Sequence, residues 1–301
     1  MLLGIFVLLS PGQNPYILGL LEMKPAVVAA PIIVPPPAPY PENISGVPLQ
    51  GVTAEGVVVL DVQSGVFLYK QNEEETLSPA STTKILTALV ALDSFQLDDV
   101  VTVGEVMNVG QVMGLLQGEQ ITVENLLYGA LIHSGNDAAW ALASHYPGGI
   151  EKFVMAMNKK AASLHLNRST FTNPAGFDDA QHKMTPLDLA RLARIALGNS
   201  VISKMVAIPQ ITVSDVTHTY FHNLKNVNEL LGKIPGVGGI KTGWTEDAGE
   251  NLVTLVDRQG HKVIIVVLKS KDRFGDTVTI IDWIYSHYTW SIPVLPTQST
   301  R

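Results

Sequence analysis

Ser81-Thr82-Thr83-Lys84 follows Ser78-Pro79-Ala80 directly and opens an apolar helical stretch, Thr82 to Asp93, with Ile85, Leu86, Leu89 and Leu92 on one face. A serine and a lysine three apart on a helix face each other across one turn. Near a helix N-terminus, backbone N–H groups and the dipole favour negative charge. A serine hydroxyl becomes a useful nucleophile only when a neighbour takes its proton. A lysine does so as the neutral amine, which needs its pKa lowered from about 10.4 by burial or nearby cations.

Two further pieces follow along the chain. Ser134-Gly135-Asn136 falls between two apolar helical stretches, which puts a hydroxyl and an amide on one tight loop. There Ser134 is suited to relaying a proton and Asn136 to holding a substrate amide. Lys241-Thr242-Gly243 falls on a strand from Gly239 to Trp244. Lys241 is the candidate second cation, and Gly243 lets another backbone come close, as a peptide laid along a strand edge needs. Singly these are an exposed helix start, a helix–helix turn and a strand with a surface lysine. In this order they read as three walls of one acyl-transfer site.

The surrounding sequence sets the fold. Gly56 to Asp61 and Val66 to Lys70 read as strands joined by a turn at Gln63-Ser64-Gly65. Helices are expected from Thr122, over Asp137 to His145, over Ile150 to Leu164, and from a Thr185 cap with Pro186 in the first turn to Leu197, where Gly198 stops it. Strands return at Gly239 to Trp244, Asn251 to Asp257 and Lys262 to Leu268, and Asp276 to Tyr288 closes as a helix. Strands at both ends and helices between predict an α+β domain.

With 301 residues, 46% of them apolar, the chain has ample material for a core. A net charge of −7, with Lys and Arg scattered, leaves no footprint for nucleic acid. Absence of cysteine excludes disulfides and a thiolate nucleophile. His218 and His222 stand four apart on what reads as a strand, too far to share one ion, so no metal or other cofactor is expected.

The N-terminus carries two short apolar patches, Leu2 to Leu9 and Tyr16 to Leu21, broken by Pro11-Gly12 and without a basic start. Residues 1–24 read as an apolar leader: a truncated anchor or signal remnant, or an atypical membrane-directed leader. Residues 25–45, rich in proline, read as a semi-rigid linker. Residues 46–290 then form the catalytic domain and 291–301 a C-terminal tail. This is the layout of a tethered enzyme outside the cytoplasm.

The segment Ser78 to Ala88 closely resembles the nucleophile region of the low-molecular-mass penicillin-binding proteins, the serine D-alanyl-D-alanine carboxypeptidases. So do Ser134-Gly135-Asn136-Asp137-Ala138-Ala139, Phe171 to Asp178, Gly239 to Thr245, and His222-Asn223 ahead of Leu230-Leu231. The resemblance implies a β-lactamase/transpeptidase-like fold: an antiparallel sheet flanked by helices, with a helical subdomain. It implies peptidoglycan stem peptides as substrates and β-lactams as covalent inhibitors. Ser81 would attack the penultimate D-alanine, Lys84 would accept the proton, and Ser134 would pass it on, with Asn136 and Lys241 completing the catalytic network. The oxyanion would lie between the Ser81 and Trp244 backbone N–H groups, and Thr242 with a cation, for which Arg273 is the candidate, would hold the terminal carboxylate. Trp244 stands where this family more often has His or Tyr. The chain ends too soon after its last helix for the second, all-β domain of many relatives, so any attachment is expected at the N-terminus.

Two other readings remain at this point. A D,D-endopeptidase would use the same atoms in a differently shaped cleft, and a peptidoglycan-binding module would use none of them. A β-lactamase is disfavoured, because no Glu-x-x-Leu-Asn follows the second motif.

Overall fold

The computed structural model describes residues 39–292. The leader reading of residues 1–24 and most of the linker lie outside them. The strands are β1 (Tyr40–Asn43), β2 (Gly56–Asp61), β3 (Phe67–Gln71), β4 (Val100–Thr102), β5 (Gln120–Thr122), β6 (Gln210–Ser214), β7 (Phe221–Lys225), β8 (Val237–Thr245), β9 (Gly249–Arg258), β10 (His261–Ser270) and β11 (Tyr288–Ser291). The helices are α1 (Lys84–Ser94), α2 (Val123–Leu131), α3 (Asn136–His145), α4 (Gly149–Ser163), α5 (Pro186–Gly198), α6 (Ser200–Val206) and α7 (Arg273–His287).

Five strands form one antiparallel sheet in the order β3-β2-β10-β9-β8. Its centre is covered on both sides, which is why β2 is buried at every position, with apolar Val57 to Leu60 in place of an alternating pattern. Val57, Val59, Val263, Ile265 and Val267 pack with Ile280, Ile281 and Ile284 of α7. Val58, Leu60, Ile264, Val266 and Leu268 join the larger core with Leu86 of α1, Leu126 of α2 and Leu189 of α5. The α+β architecture expected from the sequence is the one observed.

Several boundaries differ for local reasons. Ala80–Thr83 is a 3-10 turn, and the α-helix starts only at Lys84. Ala80 has φ +49°, and both the Thr82 N–H and its hydroxyl bond to the Pro79 carbonyl, tightening the turn. The closing helix begins at Arg273 instead of Asp276, because Asp272 caps it through the Gly275 N–H. Helix α5 runs through Gly198, and Asn199 then caps α6, which the sequence reading lacked. The β4–β5 pair was also unforeseen.

The proposed linker and tail need correction. Residues 40–43 of the linker pair with Tyr288–Ser291, so the folded unit starts before residue 46 and includes Ser291. Backbone pairing at both ends holds them to the fold. His218 lies in the β6–β7 turn with φ +55°, and only His222 is on the strand.

Candidate active site

Ser81 lies in the 3-10 turn and Lys84 one turn later, so the two side chains converge. Lys84 is fully buried, and its Nζ is 2.7 Å from Ser81 Oγ, 2.7 Å from Asn136 Oδ1 and 2.8 Å from the Ala175 carbonyl. Burial pulls its pKa well below the ordinary lysine range, Lys241 pulls it further, and Asp137 opposes both. A neutral amine has two N–H donors and one lone pair. Asn136 Oδ1 and the Ala175 carbonyl can only accept, so they take the two N–H groups. The lone pair is left facing the Ser81 hydroxyl.

The second wall comes from the α2–α3 connection. Ser134 holds φ +63°, a costly conformation for a non-glycine residue, which lifts its hydroxyl out of the helical path. Asn136 begins α3, accepts from Lys84, and donates through Nδ2 to the Val109 carbonyl at 2.7 Å. Its amide is thus engaged at both ends within the protein. It ties Lys84 to the loop at Val109 while still lining the cleft, with a second Nδ2 hydrogen beyond the one given to Val109. Asp137 fixes that loop further on, accepting from the N–H groups of Met113, Gly114 and Leu115.

Strand β8 forms the third wall at the edge of the sheet. Lys241, 2% exposed instead of on the surface, donates to Ser134 Oγ at 2.8 Å and to the Thr242 carbonyl at 3.1 Å. Burial lowers it to about 7, and the nearby Arg273 guanidinium adds to the shift. A Cβ on Gly243 would stand 3.1 Å from the Ser81 nitrogen and 3.0 Å from the Pro79 carbonyl. The backbone that glycine admits here is therefore the nucleophile segment itself. Arg273 donates to the Gly243 carbonyl at 2.9 Å, while its Nε is buried without a partner in the structure.

Ser81, Ser134, Asn136, Thr242, Gly243, Trp244 and Arg273 all line one cleft of about 560 Å³. Trp244 stands 62% exposed at its rim. The two lysines lie behind the lining, each meeting it through a serine. Sequence reasoning gave no roles to the remaining lining, which includes Val109, Gly110 and Gln111 on one side and Ala175 to Asp178 on the other. The second of these segments was visible only as a resemblance. Among the described residues no group of three or more His, Asp or Glu is arranged to hold a metal. His222 instead pairs with buried Glu119 at 2.7 Å.

Comparison with known proteins places the chain in a family. The D-alanyl-D-alanine carboxypeptidase family matches residues 43–272. The chain is 34% identical over 245 residues to the D-alanyl-D-alanine carboxypeptidase DacF of Bacillus subtilis, covering 78% of this chain and 63% of that protein. It is 32% identical to a D-alanyl-D-alanine endopeptidase of Pseudomonas aeruginosa over 84% of each chain. The crystal structure of the Streptomyces K15 DD-transpeptidase superposes with a TM-score of 0.75 at 32% identity, covering 80% of this chain and all of that one. The chain spans less than two thirds of the Bacillus protein but most of the other two. On the family match and these identities, it belongs to the D-alanyl-D-alanine carboxypeptidase family.

Proposed function

We propose that this protein is a serine D-alanyl-D-alanine carboxypeptidase that removes the terminal D-alanine of peptidoglycan stem peptides and is acylated by β-lactams. The observation that carries the reading is the Lys84 amine 2.7 Å from Ser81 Oγ, with acceptors for both of its N–H groups. Ser81 Oγ bonds to the carbonyl carbon of the penultimate D-alanine as its proton passes to Lys84 Nζ. The oxyanion lies against the backbone N–H groups of Ser81 and Trp244, which Gly243 brings together. The C–N bond breaks, and the leaving amine takes the proton held by Lys84, relayed through Ser134, whose hydroxyl is bonded to Lys241, so that Lys84 is neutral again. Water then attacks the ester carbonyl and gives a proton to Lys84, and as the acyl–oxygen bond breaks Lys84 returns that proton to Ser81 Oγ. Thr242 and Arg273, both on the cleft wall, receive the terminal carboxylate.

The catalytic domain in this proposal runs from Tyr40 to Ser291. Members of the family act on the cell wall outside the cytoplasm, and the apolar residues 1–24 with the proline-rich stretch after them are proposed to serve export or tethering. No helix among the described residues is long and apolar enough to cross a membrane.

A labelled penicillin should form a covalent adduct with the wild type and none with Ser81→Ala. Mass analysis after incubation with a pentapeptide stem should show loss of one alanine, and a cross-linked dimer should stay intact. Dimer cleavage would favour the endopeptidase reading, which the Pseudomonas relative supports. A wild type that forms no adduct and cleaves neither substrate would leave a binding module.

A further inference from the structure

His182 does not line the cleft, is 1% exposed, and stands edge-on to Phe171 with ring centroids 5.5 Å apart. Its Nδ1 faces two nitrogens, the Thr172 backbone N–H at 3.2 Å and Asn173 Nδ2 at 3.3 Å, and also the Thr172 hydroxyl at 3.2 Å. Both of these nitrogens can only donate, so Nδ1 carries the lone pair and the ring hydrogen sits on Nε2. Nε2 lies 2.9 Å from Thr83 Oγ1, which accepts that hydrogen. A second proton on Nδ1 would face both of those donors and would have only the Thr172 hydroxyl to accept it. Burial acts in the same direction and lowers the imidazole to about 4. The ring is therefore a neutral group with one fixed donor and one fixed acceptor.

What it joins matters for Lys84. Thr83 lies between Ser81 and Lys84. Asn173 accepts the N–H groups of Ala175, Gly176 and Phe177 through Oδ1, at 3.2, 2.7 and 2.9 Å, and so folds the loop that aims the Ala175 carbonyl at Lys84. The same loop reaches Thr87 of α1 through the Pro174 carbonyl at 2.7 Å. We infer that His182 is a positioning residue for the Ser81–Lys84 pair, bracing Thr83 against Asn173 so that Ala175 keeps one Lys84 N–H and the lone pair stays on the serine. This rests on the reading of Ser81 and Lys84 as the reactive pair.

The test is a double-mutant cycle read by acylation with a fluorescent penicillin, resolved into the non-covalent binding constant and the first-order acylation rate. His182→Ala and Thr83→Val should each slow the first-order step about 10- to 100-fold, the scale of a small misplacement of reacting groups. Binding should stay within about 2-fold, and the double variant should be no slower than the worse single. His182→Gln, whose amide can donate to Thr83 in place of the ring, should restore most of the rate. Should His182→Ala fail to fold, Thr83→Val and His182→Gln still decide the matter. Single variants acylating at the wild-type rate, losses that multiply in the double variant, or losses confined to binding would each overturn the inference. A wild type that takes up no penicillin would instead remove the reactive pair, and this role with it.

Discussion

Lys84 and Lys241 are both buried amines turned toward a serine hydroxyl, yet the protein holds them by different means. Lys84 sits on a helix between two acceptors, Asn136 Oδ1 and the Ala175 carbonyl, with its lone pair on the Ser81 hydroxyl, three groups from three separate segments. Lys241 sits on an edge strand with one hydroxyl and the carbonyl of its own neighbour. The first is fixed in direction, so its lone pair has one target. The second is tuned by burial and then by charge: burial lowers Lys241, Arg273 adds to that shift, and Lys241 in turn adds to the effect of burial on Lys84. One wall of the cleft supplies geometry and the other supplies the field that keeps the geometry useful near neutral pH.

Removing the directed amine should break this contrast most severely. Lys84→Ala is expected to slow penicillin acylation about 1000-fold or more, measured by stopped-flow or gel fluorescence. Lys241→Met should cost less, about 100-fold, with a distinct signature. Without the second cation the Lys84 pKa rises, and since only the neutral amine accepts the Ser81 proton, the acid limb of the acylation profile should move to higher pH.

Two glycines extend the comparison, because both walls press on the nucleophile segment. Gly176, at φ +87°, would drive a Cβ into the Ala80 carbonyl, where nothing flexible can yield. Gly176→Ala should destabilise the fold by about 3 kcal/mol in urea unfolding. Gly243→Ala meets contacts of 3.0–3.1 Å and should lower the acylation rate about 10-fold with a smaller loss of stability. A last effect is in stability against pH. Lys241 is held near 7 in the folded protein, below its unfolded value, so between those values the unfolded chain binds more protons. The contribution is complete above the ordinary lysine value and is lost as pH falls toward about 7. Unfolding midpoints of the wild type should rise over that window more steeply than those of Lys241→Met.

The motif residues were legible because their chemistry resides in side chains at short local spacing. Ser81, Lys84, Ser134, Asn136, Lys241, Thr242 and Gly243 could all be read before any coordinates, and Arg273 does stand at the cleft. The Ala175 and Val109 carbonyls could not, since a backbone oxygen has no residue identity. His182 and the Glu119–His222 pair join segments far apart in sequence, and no periodicity records such partners. Strands β4 and β5 are three residues each, too short for alternation to register. The strand edge at Lys241 was read correctly, but the need for Gly243 was assigned to a bound peptide when the protein's own Pro79–Ser81 segment already requires it.

The β1–β11 pair has a mechanical meaning. It shares no hydrogen-bonded strand with the five-stranded sheet, and the Ile44 N–H adds one more bond to the His287 carbonyl where β1 ends. A pull arriving from the N-terminal side meets this small clasp first. It must strip Tyr40 to Asn43 off Tyr288 to Ser291 before β2 bears any load, so the strand holding Lys241 is shielded from tension by a sacrificial seam.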